Sequence, residues 1–199
     1  MKKLLCATAV LAFAGSAFAG TAVFNNEVDF VNQLAPGFYN EAFAGYSDGS
    51  PFNGSQITAD FGPVNGFAWQ AGTTGGLGLY SVPNRLSTNN AGDALLITMT
   101  GAPVTSVGGI FESTDISGNP IPLDVTITLN NGTTETISSG AGFRGFSTPL
   151  PITTITIDGV DGVGVNNWPA LGNFYVGNVV PEPASLSLLL LAGAFIRRR

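Results

Sequence analysis

Residues 123–129 read Leu-Asp-Val-Thr-Ile-Thr-Leu, apolar and polar in strict alternation, and Asn131-Gly132 follows at once. A period of two sends alternate side chains to opposite faces of a strand. Asn-Gly readily takes the backbone angles of a tight hairpin, and residues 133–138 provide the returning strand. Such a hairpin has one apolar face and needs a second layer to cover it. Comparable segments recur at residues 38–43, 93–100, 104–112, 153–157 and 173–180, separated by short turns rich in Gly, Pro and Asn. There is no strand–helix–strand rhythm and no repeat of fixed period. The expectation is an all-β fold, an antiparallel β-sandwich or jelly roll. One short N-terminal helix is expected over residues 27–34, with Asn26 as its cap, Val28, Val31 and Leu34 at helical spacing, and Pro36-Gly37 closing it.

The two ends follow different rules. Lys2 and Lys3 precede a short apolar run over residues 4–14, and Ala17-Phe18-Ala19 offers small residues on either side of a spacer. That is the pattern of a secretory signal peptide cut before Gly20. Cys6, the only cysteine, falls inside the removed segment. At the other end, Val180-Pro181-Glu182-Pro183 leads into an apolar run over residues 184–196 and then Arg197, Arg198 and Arg199. Thirteen residues of helix reach only about 20 Å, short of the ~30 Å hydrocarbon core. The arginines favour the cytoplasmic side, and the signal peptide sends the body outward. The expected state is a secreted or cell-surface protein, held transiently in the inner membrane by the C-terminal helix. The chain therefore divides into residues 1–19, a domain over 20–178, and a tail over 179–199.

The tail closely resembles the PEP-CTERM sorting signal of Gram-negative envelope proteins: Pro-Glu-Pro, an apolar span, then a basic end. The resemblance implies recognition by an exosortase, a membrane-embedded cysteine protease or transpeptidase, after signal peptidase has acted. It also implies a setting in which extracellular polysaccharide is made. A weaker resemblance runs through the body. The early Phe-bearing helix, Glu41-Ala42-Phe43, Phe143-Arg144-Gly145-Phe146 and Asn173-Phe174-Tyr175-Val176-Gly177 look like secreted jelly-roll domains joined to such tails, similar in architecture to carbohydrate-binding modules. Many of those domains open the last strand with Asp-Asn. Here Gly172-Asn173 stands there, so if that aspartate serves a structural calcium in those domains, this chain lacks the ligand.

Composition narrows the chemistry. The 199 residues contain no histidine, and between the basic residues at the two termini two bases, Arg85 and Arg144, face thirteen acids, Glu182 of the tail included, a net charge of −11. So acidic a body repels a phosphate backbone, and nucleic acid is excluded as a partner. Without histidine, mature cysteine or mature lysine, the usual nucleophile–base pairs cannot form. The protein is expected not to be an enzyme; a carboxylate glycosidase is the one catalytic alternative. No cofactor is expected beyond a structural calcium, for which Asp158 and Asp161 are the local candidates and Asp115 with Asn119 a second cluster; aspartate beside glycine also marks a plain turn. Trp69, Tyr80 and Trp168 are candidate sugar platforms, with Gln70, Asn166 and Asn167 as polar neighbours, or else core fillers. Arg85 and Arg144 would clamp acidic polysaccharide or pair with internal acids. The expected role is structural or adhesive in extracellular polymeric material, with a lectin-like module as the alternative.

Overall fold

The computed structural model describes residues 20–138, 140–160 and 166–180. In chain order the elements are β1 (Ala22–Phe24), α1 (Glu27–Val31), β2 (Tyr39–Glu41), β3 (Thr58–Val64), β4 (Phe67–Thr73), β5 (Leu79–Val82), β6 (Arg85–Thr88), β7 (Leu95–Met99), β8 (Val104–Thr114), β9 (Val125–Leu129), β10 (Thr134–Ile137), β11 (Ala141–Ile152), β12 (Thr154–Gly159) and β13 (Trp168–Gly177). One sheet has the order β1-β11-β8-β13-β6-β5, with β2 also pairing β13, and the other β10-β9-β12-β7-β4-β3. Every pairing between these strands is antiparallel. The two sheets close a common core, so the fold is the β-sandwich the alternation demands.

The pattern that announced the fold is visible in β9. Val125, Ile127 and Leu129 are buried in the core. Thr126 and Thr128 face the other way, and their hydroxyls lie 3.2 Å from those of Thr136 and Thr134 on β10. Each fully buried aliphatic or phenyl side chain contributes about 1.5–3 kcal/mol, so one residue of register slip would reverse the whole gain. The centre of the core is aromatic. Trp69 stacks on Phe61 with centroids 3.9 Å apart and planes 4° apart. Phe174 and Phe43 meet the Trp69 ring edge-on at 5.1 and 6.3 Å. These contacts tie β3 and β4 of one sheet to β13 of the other. Phe43 reaches the core from a left-handed backbone angle, φ 51°. Glu41 holds that turn: one carboxylate oxygen accepts the Phe43 N–H at 3.0 Å, the other the Tyr39 hydroxyl at 2.7 Å.

A smaller aromatic cluster sits on the outer face of the first sheet, under α1. Asn26 caps the helix as expected, its side chain accepting from the Val28 and Asp29 N–H groups at 2.8 and 3.2 Å. The helix ends at Val31, earlier than expected, and Leu34 instead bridges Val179. Its buried residue is Phe30, while Val28 is 65% exposed. The reason lies in the sheet beneath. Gly145 and Gly108 are cross-strand partners on β11 and β8, and a Cβ on either would run into the Phe30 ring. Phe24, Phe143 and Tyr175 complete the ring contacts, with centroids 5.6–6.4 Å from Phe30. A five-residue helix has too little periodicity to choose its own buried face; the glycine bed chooses it.

Two further differences shape the exposed face of the first sheet and the edge of the second. The last strand begins at Trp168 rather than at Asn173, and its pairing with β8 slips between Gly172 and Tyr175. The hairpins β3–β4 and β5–β6 were not expected. The first turns on Asn65-Gly66, both left-handed at φ 52° and 87°, the same signal read at Asn131-Gly132. Among the described residues, no helix is long and apolar enough to cross a membrane.

The glycine bed gives a direct test. Gly145→Ala pushes a methyl group into the Phe30 ring, with an expected loss of about 1–3 kcal/mol. Urea unfolding should show a lower midpoint with an unchanged slope. A midpoint equal to that of the unsubstituted protein would refute the packing argument.

Candidate functional site: two grooves on one sheet face

The outer face of the first sheet is divided. Helix α1 covers the β1–β11–β8 part, and the β8–β13–β6–β5 part carries two grooves. Register sets the rows across this open part. Tyr80 pairs Ser87, Ser87 pairs Ala170 and Ala170 pairs Glu112. Trp168 pairs Thr114 on one side of that row, and Val82 pairs Arg85 on the other.

The first groove, about 260 Å³, is lined by Tyr80, Ser87, Thr114, Asp115, Ile116 and Trp168 among others. Its floor is rigid. The Ser87 hydroxyl donates to the Pro169 carbonyl at 2.9 Å, and the Thr114 hydroxyl to the Trp168 carbonyl at 3.0 Å. Both bonds fix the start of β13, and so the half-buried Trp168 side chain is held in place. The Tyr80 hydroxyl donates to Asp48 at 2.8 Å, and that bond raises the phenol pKa above its ordinary value. Asp115 closes the wall by accepting from the Ser117 and Asn119 backbone N–H groups at 2.8 and 2.9 Å. Those bonds, those to Asn119 foremost, hold its carboxyl below its ordinary value.

The second groove, about 340 Å³, is lined by Ala42, Asn84, Arg85, Ile110, Glu112 and Asn173 among others. Its polar centre is Arg85 with Glu112, Nε to Oε2 at 2.5 Å. The contact is an ion pair rather than an aligned hydrogen bond, since Glu112 Oε2 has no partner in line. Burial pushes the Glu112 carboxyl up, and the Arg85 charge opposes that push. Small residues make the pair feasible. Arg85 on β6 reaches Glu112 on β8 across β13, whose outward residues there are Ala170 and Gly172. At the rim, Asn173 stands in the bulge of β13 with φ 48°. Its amide donates to Glu27 at 2.5 Å and to the Tyr175 hydroxyl at 2.9 Å, and the Tyr175 hydroxyl donates to the same Glu27 oxygen. Desolvation first, and the Glu27 contact second, push the Tyr175 phenol up to about 12.

Of the three candidate aromatic platforms, Tyr80 and Trp168 share the first groove. Trp69 does not belong with them. It is fully buried and stacked in the core, so it has no face for a sugar; this corrects its assignment as a platform. Its neighbour Gln70 donates to Asp60 at 2.9 Å. Asn167 is buried and structural, accepting from Ser113 at 2.6 Å and donating to the Asp124 carbonyl at 3.1 Å. Both arginines pair with acids, Arg144 with Glu135 at 3.8 Å. Asp158 is exposed on β12, opposite Thr126. Asp161, its expected calcium partner, lies outside the described residues, as do Ala17, Ala19, Pro181, Glu182, Pro183, Arg197, Arg198 and Arg199. Gly20 is the first described residue and is exposed. Among the described residues, no group of three or more His, Cys, Asp or Glu side chains is placed to hold a metal.

Sequence reasoning missed Asp48 and Glu112. Asp48 meets Tyr80 only because a loop folds over the edge of β5, where the Ser81 N–H donates to the Phe52 carbonyl at 2.9 Å. Glu112 did leave a signal: it is the single acid in a buried strand of small and apolar residues. No protein-family model, curated protein or solved structure matches this chain.

The buried phenols make a pH prediction. Burial raises Tyr46 and Tyr175 to about 12, against about 10 in the unfolded chain. A raised folded pKa contributes stability that is complete below the unfolded value and lost as pH rises through the folded one. Unfolding free energy should therefore fall from about pH 10 towards about pH 12, and Tyr175→Phe should flatten that fall. An equally steep fall in the variant, followed by denaturant titration, would count against the assignment.

Proposed function

We propose that this chain is an exported, non-enzymatic protein of the bacterial surface or its extracellular matrix, sorted and processed by an exosortase. The observation that carries the reading is how the ends relate to the fold. The signal-peptide pattern stops at Ala19, and β1 starts at Ala22. At the other end the last contacts of the sandwich among the described residues are the Leu34–Val179 bridge and the Val180 N–H donating to Gln33 at 2.9 Å. Pro181-Glu182-Pro183 follows directly. Cuts before Gly20 and near Pro181 would remove both basic ends and keep every strand. The product would carry Arg85 and Arg144 as its bases, both paired, and a strongly acidic surface suited to a hydrated matrix. A jelly-roll winding of the strands is the finer form of the same proposal.

The first groove favours a second reading, a carbohydrate-binding module. Tyr80 and Trp168 are distant in sequence, yet they line one opening together with polar groups and a fixed floor. Aromatic faces with a few oriented polar groups suit a sugar ring, apolar on its faces and polar at its edge.

Two measurements follow. Intact mass of the protein from its native host should show loss of residues 1–19 and a C-terminus near Pro181; a mature form that keeps Arg197–Arg199 would sink the sorting proposal. On an array of defined glycans, Trp168→Ala and Tyr80→Ala should each weaken binding about tenfold or more, about 1.4 kcal/mol, with little change in melting temperature. Trp69→Ala is the contrast, losing about 3–5 kcal/mol of stability as a core residue. Equal glycan binding by wild type, Tyr80→Ala and Trp168→Ala would remove the sugar reading of this groove.

A further inference from the structure

We propose that the two grooves are consecutive subsites for one linear, uncharged glycan, and that the Arg85–Glu112 pair clamps a vicinal diol of the ring beside the one stacked on Tyr80 and Trp168. This rests on the carbohydrate-binding reading of the first groove. The sheet itself gives the alignment. Thr114, Glu112 and Ile110 are successive same-face positions on β8, and Trp168, Ala170 and Gly172 are their partners on β13. Same-face positions are two residues apart, roughly 7 Å, so the Trp168 row and the Gly172 row are separated by roughly 13 Å. A single sugar ring does not span that length, and a short chain lying along the strands does.

The chemistry of the pair selects the ligand. Arg85 directs Nε at Glu112, and one Nη1 donor goes to the Pro83 carbonyl at 3.4 Å. A guanidinium carries five N–H donors in a fixed fork, so further donors remain for the groove. Glu112 offers the matching acceptor through Oε1; its Oε2 is buried against Arg85. Adjacent hydroxyls of a sugar each present a donor and an acceptor, and a fixed donor beside a fixed acceptor matches two of them at once. A ligand carboxylate fits less well: Arg85 is already compensated by Glu112, and the body carries a net −10, so a uronate would meet repulsion from both. The floor under the pair is Gly172, where a Cβ would lie 3.5 Å from Arg85 Cγ. The small floor leaves room for the Arg85 side chain to cross β13.

The test uses processed protein from the native host and a printed series of linear oligosaccharides, neutral and uronate-containing, from single rings to about six. Wild type should gain at least roughly tenfold in affinity between one ring and three, on neutral chains. The double variant Arg85→Met/Glu112→Met removes both charges together, a change that well-packed apolar pairs tolerate. It should keep single-ring binding and lose the gain with length. Arg85→Lys keeps the charge but not the planar fork and should lose the gain as well, so the proposal stays testable even where the double variant fails to fold. A gain that survives Arg85→Lys, a wild type with no gain beyond one ring, or a preference for uronates would each overturn the two-subsite inference while leaving the first groove's reading intact. No binding by any chain, or binding unaffected by Trp168→Ala, would overturn both readings together.

Discussion

The stacked pair of Trp69 and Phe61, with Phe43 and Phe174 set edge-on against it, is the contact on which the rest of the molecule depends. Neither sheet is stable with its apolar face in water, and these four rings join them at the centre. Phe174 belongs to β13, the strand whose outer face carries both grooves. Clamping Phe174 inward fixes the bulge beside it, and the bulge turns Asn173 out towards Glu27. One core contact thus sets the inner packing, the kink in the strand and the rim of the second groove. The Glu41 carboxylate serves the same contact from the other side, holding Phe43 in a backbone angle that a phenylalanine rarely takes.

Small residues decide what lies on the outer face of the first sheet. Gly108 and Gly145 make the shallow bed that receives Phe30, and α1 is held there with its aromatic ring of neighbours. Ala170 and Gly172 do the same for Arg85, letting it cross a strand to reach Glu112. Where the small pair lies under a helix, the face is closed; where it lies under an arginine, it stays open as a groove. The distribution of glycine and alanine along β8, β11 and β13 is therefore what separates a structural half of this face from a half available to a ligand.

The scarcity of positive charge shapes the functional reading. Two arginines serve a body with twelve acids, and both are bound to internal carboxylates. Neither offers a free cation to an acidic polymer. The reading that remains attractive is recognition through aromatic faces and paired donors and acceptors, a mode that works on neutral sugars and is weakly sensitive to salt.

Much of the sandwich was legible because alternation and turn chemistry are local. Residues 125–129 with their Asn-Gly turn, the strand around Leu95 and Ile97, and the Asn26 cap are written in neighbouring residues, and the structure has them. The hairpin at Asn65-Gly66 carried the same signal but is flanked by Gly62-Pro63 and weak alternation, which hid it. The site was less legible. Trp69 and Trp168 sit in similar sequence surroundings; one stacks in the core and the other borders a groove, because burial depends on which sheet face a residue meets across space. Phe30 rather than Val28 faces inward for the same reason, the choice being made by glycines more than 70 positions away. The sequence by itself determined the all-β class, the shortage of bases and the two terminal patterns that motivate the export proposal, since all three depend on composition or short-range order. Only the tertiary structure brought Tyr80 to Trp168 and Arg85 to Glu112, because strand order and register, set by packing the whole core at once, place partners that no local pattern records.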